Sequence, residues 1–356
     1  YTGGTTGFPK GVMQSHQAIW SSSIALTCML GLNRSTRYMH AAPMFHMADF
    51  CGSIGSTLGG ASHLFIAAFD PKKVIEIANT HGATYSIMVP TMIKMLVETM
   101  EADPNQRLKT FEQISFGASP MPAAMLERAI KLLPDVRWSQ AYGQTELAPL
   151  VTVQLPEYVT LDGPNADKLH SAGQAVPCVE IMIADEDGNE LPRGEVGEVL
   201  ARGPNAMQGY WNKPEETAAA MHGDWVRTGD AAWMDDDGFI FIADRLKDMV
   251  ISGGENIFSA EVESTISKHP AVADSAVIGI PSEEWGEAVH ALVILRDGAS
   301  ATEQDIVDHC RGLIAHYKCP RSVEFRTEAF PLSGAGKVLK RDLRAPFWAG
   351  KDRQVN

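Results

Sequence analysis

The chain has 356 residues, enough for two or three domains with cores of their own, and its 45% hydrophobic and 21% charged content is that of a globular protein. A formal net charge of −14 excludes non-specific nucleic-acid binding and adhesion to acidic membranes, which need basic surface. No apolar run approaches the ~20 residues that span a bilayer; five scattered cysteines (Cys28, Cys51, Cys178, Cys310, Cys319) without a C-x-x-C pair point to a reducing, cytoplasmic setting.

The chain opens on YTGGTTGFPKG, residues 1–11. Glycines let a backbone approach an anion closely, and successive N–H groups form an anion-binding concavity. Thr2, Thr5 and Thr6 add hydroxyl donors and Lys10 a cation, so Thr2, Gly3, Gly4, Thr5, Thr6 and Gly7 together suit a polyphosphate. The segment does not match G-x-x-x-x-G-K-[ST], and a plain Gly/Thr turn before a helix is the competing reading.

From Asp70 to about Ala141 helix and strand alternate. Asp70-Pro71 reads as an N-cap and first-turn proline opening a helix through KKVIEIANTHG. ATYSIMVP is then a buried strand, TMIKMLVETM a helix, FEQISFG a strand, MPAAMLERAIKLLP a helix and VRWSQAYG a strand. Such alternation implies a parallel sheet with right-handed crossovers. Ligands of these sheets sit at the carboxyl ends of the strands, which singles out GASP at 117–120 and AYGQTE at 141–146.

From about Gly173 to Ala243 the pattern becomes strand–turn–strand, with turns at Asp187-Gly188 and Asp237-Gly238. The remainder is mixed: a helix near SAEVESTISKH, strands AVADSAVIGI and EAVHALVILRD, a helix near TEQDIVDHCRGLIAHY, a strand SVEFRTE and a glycine loop PLSGAGK. The expected fold is therefore α/β: a parallel-sheet α/β subdomain (1–170) and a β-rich subdomain (171–246) in one large domain, then a small, mobile α+β C-terminal domain (247–356).

Four further groups could carry chemistry. Glu146, at a strand-to-loop junction, could hold Mg²⁺. Asp230, in Thr228-Gly229-Asp230, could accept two ribose hydroxyl protons. In ADRLKDMVISGGEN, Arg245 and Lys247 flank a domain boundary, and Gly253-Gly254 permit close backbone approach. Lys337 sits at the tip of a glycine loop. Each alone also reads as a solvated surface charge, a cap or a linker. The Cys/His cluster HCRGLIAHYKC fits no zinc-ligand spacing.

Taken in order, YTGGTTGFPKG, AYGQTE, WVRTGD, DRLKDMVISGGENI and GKVLKR resemble the adenylate-forming superfamily of acyl-CoA synthetases, luciferases and peptide-synthetase adenylation domains. The resemblance covers nearly the whole chain. It implies that residues 2–7 with Lys10 close over the ATP phosphates, although Gly3 stands where the family form has Ser. It further implies that Gly117, Ala118, Ser119, Tyr142 and Gly143 pack the adenine and bind AMP, that Thr145 contacts the α-phosphate and that Glu146 holds Mg²⁺. Asp230 would bind the ribose with Arg245 as its partner, and Lys247 would be the hinge of the last domain. Lys337 would bridge the attacking carboxylate and the α-phosphate. Gly253, Gly254 and Trp285 would face the pantetheine of coenzyme A, Trp285 being readable equally as domain-packing surface. His46, in APMFHMADF, aligns with a residue guarding the acyl pocket, or is an interior histidine.

The implied activity is that of an ATP-dependent, AMP-forming acyl-CoA synthetase with a medium or long fatty acid, or an aromatic or alicyclic acid, as substrate. ATP, Mg²⁺ and coenzyme A are the implied small molecules, with no nucleic-acid partner, and the sequence is silent on oligomeric state. The alternatives are an acyl-AMP ligase that loads a carrier protein and a non-catalytic nucleotide-binding protein. Because the chain begins at the phosphate loop without a Met, the resemblance also implies a fragment of a longer protein, expected to be unstable or inactive alone.

Overall fold

The computed structural model describes residues 1–2, 9–333 and 337–350. Gly3, Gly4, Thr5, Thr6 and Gly7 of the opening loop lie outside the described residues. In chain order β1 (Val12–Met13) leads to α1 (His16–Leu30), β2 (Arg37–His40), α2 (Met47–Gly59), β3 (Ser62–Phe65) and α3 (Pro71–His81). Then come β4 (Tyr85–Met88), α4 (Pro90–Ala102), β5 (Gln113–Gly117), α5 (Ala123–Leu132), β6 (Arg137–Gly143), β7 (Leu150–Gln154) and β8 (Gln174–Ala175).

A 7-stranded sheet has the order β3-β2-β4-β5-β6-β7-β8. The strands from β3 through β6 are parallel, as the alternation of apolar strands and amphipathic helices requires, and β7 and β8 join antiparallel. The expected cap of α3 is present: Lys73 N donates to Asp70 Oδ1 at 2.8 Å. Alternation along the strands sends neighbours to opposite faces. Met39, Met88, Ile114 and Trp138 pack with Val74, Ile93, Leu96 and Leu126 of α3, α4 and α5. Tyr38 and Ile87 pack instead with Leu26 and Leu30 of α1 and Cys51 of α2. Burial on both faces removes several fully covered aliphatic and aromatic side chains from water, each contributing on the order of 2 kcal/mol.

The β-rich part holds β9 (Glu180–Ala184), β10 (Gly197–Arg202), β11 (Gly209–Tyr210), α6 (Pro214–Ala219), β12 (Met221–His222), β13 (Trp225–Met234) and β14 (Ile240–Arg245). Its sheet has the order β12-β13-β10-β9, with β14 on β13, while β11 returns to pair with β1. The turn at Asp237-Gly238 is built by Asp235, whose Oδ1 accepts from Asp237 N and Phe239 N. The Asp187-Gly188 turn forms as read, but a second turn follows it, so β9 and β10 pair with Ala184 opposite Glu198.

The last part comprises β15 (Val250–Ser252), β16 (Glu255–Ile257), α7 (Ser259–Ile266), β17 (Val272–Ser282), β18 (Gly286–Leu295), α8 (Glu303–Arg311), β19 (Ser322–Arg326) and α9 (Lys340–Trp348). Its sheet runs β16-β15-β18-β17, with β19 parallel to β18. Val250, Val262, Val277, Val289 and Ile306 form its core. Here α8 ends at Arg311, short of the expected Tyr317. Gly312 weakens helix continuation, and the N–H groups of Leu313 and Ile314 both turn back onto Cys310 O.

The chain divides into two compact units. The first is Tyr1–Met121, Met125–Thr228 and Ala232–Ile242; the second is Pro122–Ala124, Gly229–Ala231 and Ala243–Asn356. No helix among the described residues is long and apolar enough to cross a membrane.

Candidate active site

In the first unit the predicted residues gather at the carboxyl ends of β5 and β6. Gly117 ends β5 and lies opposite Ala141 of β6. Ala118 follows in the left-handed region at φ 65°, and Ser119 leads toward α5. Tyr142 and Gly143 end β6, and residues 145–147 make a single 3₁₀ turn. Both glycines are sterically required: a Cβ on Gly117 would overlap the carbonyl of Ala141, and one on Gly143 that of Pro149. The backbone is thus brought close enough to present its polar groups at the strand ends.

Glu146 sits in that turn, 7% exposed. Tyr210 Oη donates to its Oε1 at 2.7 Å, and Met207 N donates to its backbone carbonyl at 2.8 Å. Gln14 Nε2 donates to the carbonyl of Thr145 at 2.6 Å. Asn205 Nδ2 reaches the carbonyls of Leu147 and Leu150 at 3.1 and 2.7 Å. Burial, followed by the Glu146 charge, pushes the Tyr210 phenol well above its usual range, so Tyr210 is a donor to that carboxylate at neutral pH.

The opening loop is anchored beside this turn. Thr2 and Lys10 exchange backbone hydrogen bonds at 2.9 Å each. Lys10 Nζ lies 4.0 Å from the centroid of the Tyr210 ring. One tyrosine therefore touches both the loop's cation and the acid. Sequence reasoning missed Tyr210, Gln14 and Asn205; the tyrosine is 64 residues from Glu146 and sits in no motif.

His46 is the N-cap of α2 and sits in the loop after β2, its Nδ1 accepting from Ala48 N at 3.4 Å. An open cavity of about 610 Å³ lies elsewhere, on the β-rich sheet by Glu180, Met182, Trp225 and Asp237, and no predicted site residue lines it.

In the second unit Asp230, 4% exposed, pairs with Arg245: Nε to Oδ1 is 2.9 Å. Lys247 lies two residues further on, in a 3₁₀ turn over 246–248. Burial holds its ammonium below the usual lysine range, with Asp248 opposing. Arg344 Nη1 donates to the Lys247 carbonyl at 3.2 Å. Gly253 and Gly254 are the two central residues of the β15–β16 hairpin, at φ 62° and 85°. A two-residue turn of this hand needs positive φ at both positions. Gly253 N donates to the carbonyl of Trp285 at 2.8 Å, and Arg321 lies 5.3 Å from the Trp285 ring centroid. Lys337 closes its loop with Ser333: Ser333 N donates to Lys337 O at 2.7 Å and Lys337 N to Ser333 Oγ at 3.1 Å.

A polar network that no motif announced lies just before and after the Lys247 turn. Asp244 Oδ2 accepts from Ser259 Oγ at 2.6 Å and from Ala260 N at 3.2 Å. Lys340 Nζ donates to Ser259 Oγ at 2.6 Å and pairs with Glu263 at 2.7 Å.

The family model for the AMP-binding enzyme matches residues 1–211, and that for the AMP-binding enzyme C-terminal domain matches residues 261–337. A feruloyl-CoA synthase of Amycolatopsis sp. is 36% identical over 351 residues, 98% of this chain and 69% of that protein. A fatty acid–[acyl-carrier-protein] ligase of Streptomyces coeruleorubidus is 33% identical over 363 residues, 100% of this chain and 68% of that protein. Among solved structures, the o-succinylbenzoate CoA synthetase of Bacillus subtilis in complex with its acyl-adenylate intermediate superposes with a TM-score of 0.85 at 32% identity, covering 96% of this chain and 68% of that one. With both family models matched and the fold shared, the chain belongs to the AMP-binding enzyme family of the adenylate-forming superfamily.

Proposed function

We propose that the protein is an AMP-forming acyl-CoA synthetase acting on a fatty or aromatic carboxylic acid. A carboxylate oxygen attacks the α-phosphorus of ATP, the bond to pyrophosphate breaks, and acyl-adenylate forms. The thiol of coenzyme A then attacks the acyl carbon, loses its proton to solvent and displaces AMP.

The observation that carries the reading is Glu146. Tyr210 occupies one carboxylate oxygen, and among the described residues no hydrogen bond reaches Oε2. A buried carboxylate with one oxygen to spare fits a hard cation, which takes oxygen ligands. Glu146 is the residue that would hold Mg²⁺, which when bound neutralises phosphate charge.

The other roles follow the chemistry of each side chain. Asp230, oriented by Arg245, accepts from the ribose hydroxyls. The strand-end segment Gly117, Ala118 and Ser119, with Tyr142 and Gly143, packs the adenine, and Thr145 donates to the α-phosphate. Thr2 to Gly7 and Lys10 hold the departing phosphates. Lys337 screens the repulsion between two anions that must meet. The small domain, 247–356, turns about Lys247 to exchange Lys337 for Gly253, Gly254 and Trp285, the groups that receive pantetheine; Arg321 adds a cation there. His46 lines the acyl pocket. The setting is the cytoplasm, as the unpaired cysteines suit.

The test is pyrophosphate–ATP exchange by the full-length protein with a panel of straight-chain and aromatic acids, followed by coenzyme A-dependent AMP release. Acid-dependent exchange and acyl-CoA formation are expected; exchange with no acid would sink the proposal. A second reading, transfer to a carrier-protein phosphopantetheine, is favoured by the whole-chain similarity to the carrier-protein ligase. It predicts exchange without transfer to free coenzyme A.

A further inference from the structure

Behind the loop that carries His46 runs a chain of polar side chains to which the sequence analysis gave no role. Asp49, in the first turn of α2, has 0% exposure. Its Oδ1 accepts from Tyr38 Oη at 2.6 Å, and its Oδ2 lies 2.7 Å from His40 Nδ1. His40 Nε2 lies 2.9 Å from His63 Nδ1, and His63 Nε2 lies 3.1 Å from Thr57 Oγ1. The His40 ring stacks on Phe65 with centroids 4.5 Å apart. A buried carboxylate is costly unless paired and hydrogen-bonded, and here both oxygens are satisfied by residues of β2.

One hydroxyl fixes the direction of these bonds. Thr57 Oγ1 donates its only hydrogen to Ser53 O at 2.8 Å, so it accepts from His63, whose Nε2 must carry hydrogen. The remaining contacts are filled when one proton is shared among Asp49, His40 and His63, leaving the three with no net charge. Adding or removing a proton breaks one of the bonds. The titratable groups facing the chain do not compete for that proton: burial raises Tyr38 on β2 and Tyr85 on β4, and pushes the Cys51 thiol of α2 up to about 12.

We propose that the Asp49–His40–His63–Thr57 chain clamps the base of loop 41–46, and that Asp49 and His40 are positioning residues for recognition of the acid. His40 is the last residue of β2 and Asp49 lies three residues beyond His46, so their contact joins both ends of the loop. That loop presents Met44 and Phe45, 47% and 83% exposed, at the carboxyl edge of the sheet. With the clamp intact the two ends of the loop are tied by side-chain hydrogen bonds; without it, the backbone turn of His46 N on Pro43 O and the cap at His46 remain. The inference rests on the reading of the chain as an acid-activating enzyme with His46 at the acyl site.

The test uses the full chain, pyrophosphate–ATP exchange with hexanoate, dodecanoate and ferulate as probe acids, and nitrogen NMR of labelled histidine. In Asp49→Ala the KM for the best probe acid rises about tenfold, the scale of a lost charge-assisted hydrogen bond, while the KM for ATP stays within about twofold. Asp49→Asn keeps every bond, with His40 accepting at Nδ1, and restores the acid KM. An unchanged acid KM in Asp49→Ala, an equal rise for ATP, or an Asn variant as impaired as Ala overturns the proposal. Thr57→Val, at an exposed position, covers the case in which Asp49→Ala fails to fold. His63 carries its proton on Nε2 in the native chain, and its signal shifts toward the Nδ1 tautomer in Thr57→Val. A native His63 without the Nε2 proton, or a signal unmoved by Thr57→Val, overturns the clamp. If no acid supports exchange, the functional reading falls, and the histidine signals still decide the clamp.

Discussion

Tyr210 Oη donates to Glu146 Oε1 at 2.7 Å, and the same ring lies beneath the Lys10 ammonium at 4.0 Å. The phenol orients the acid while the ring face takes the cation, so one side chain organises two groups expected to meet the phosphates of ATP.

Tyr210→Phe separates those two roles, because the ring and its cation contact stay and the donor goes. The loss of one hydrogen bond to a charged group is worth about 2 kcal/mol. The Mg²⁺ concentration needed for half-maximal pyrophosphate exchange is expected to rise, and the melting temperature to fall by a few degrees, because the buried Glu146 oxygen loses its donor. An unaltered Mg²⁺ dependence would remove Tyr210 from the site.

Lys337→Ala is expected to lower adenylate formation about a hundredfold or more, the usual cost of losing one preorganised charge donor. Thioester formation from supplied acyl-adenylate is expected to survive. Rapid-quench measurement of the two half-reactions checks this, and equal loss in both contradicts the assigned role.

Lys247→Pro acts in the opposite sense. The substitution fixes φ at a turn where the chain would have to swivel. Adenylate formation is expected to persist while transfer to coenzyme A collapses. Normal acyl-CoA production by the variant would show that the pivot lies elsewhere.

Acid is expected to weaken the fold through three histidines. Burial lowers His63, His269 and His290 below the usual 6.5, with neighbouring His40 and His309 adding to the first two. A base whose folded pKa is depressed favours the folded state in its neutral form. This stabilisation is complete above about pH 6.5 and is lost as pH falls through the lower folded values. Denaturation midpoints measured from pH 8 to pH 5 should fall on the acid side, and a flat profile would contradict the assignment.

Much of the candidate site was legible in the chain because its parts are local. Gly143, Thr145 and Glu146 fall within one short segment, as do Gly253 and Gly254, and each segment's chemistry follows from backbone freedom or from one side chain. The α3 cap at Asp70 and the parallel run from β4 to β6 were readable for the same reason: period and capping act over a few residues. The early end of α8 was not, because the apolar periodicity continues through Leu313 and Ile314 past Gly312, where the chain turns.

By itself, then, the sequence determined the kind of fold, the order of the motifs and the residues that bear charge. Apart from the Asp230–Arg245 pair, which the resemblance implied, the tertiary structure decided their partners. Tyr210 reaches Glu146, Lys340 reaches Glu263 and Ser259, and His40 reaches both Asp49 and His63. These pairings join different elements, and composition and periodicity carry no information about them. They exist because a polar group excluded from water must find a partner, and only the packed sheet and helices determine which one stands within reach.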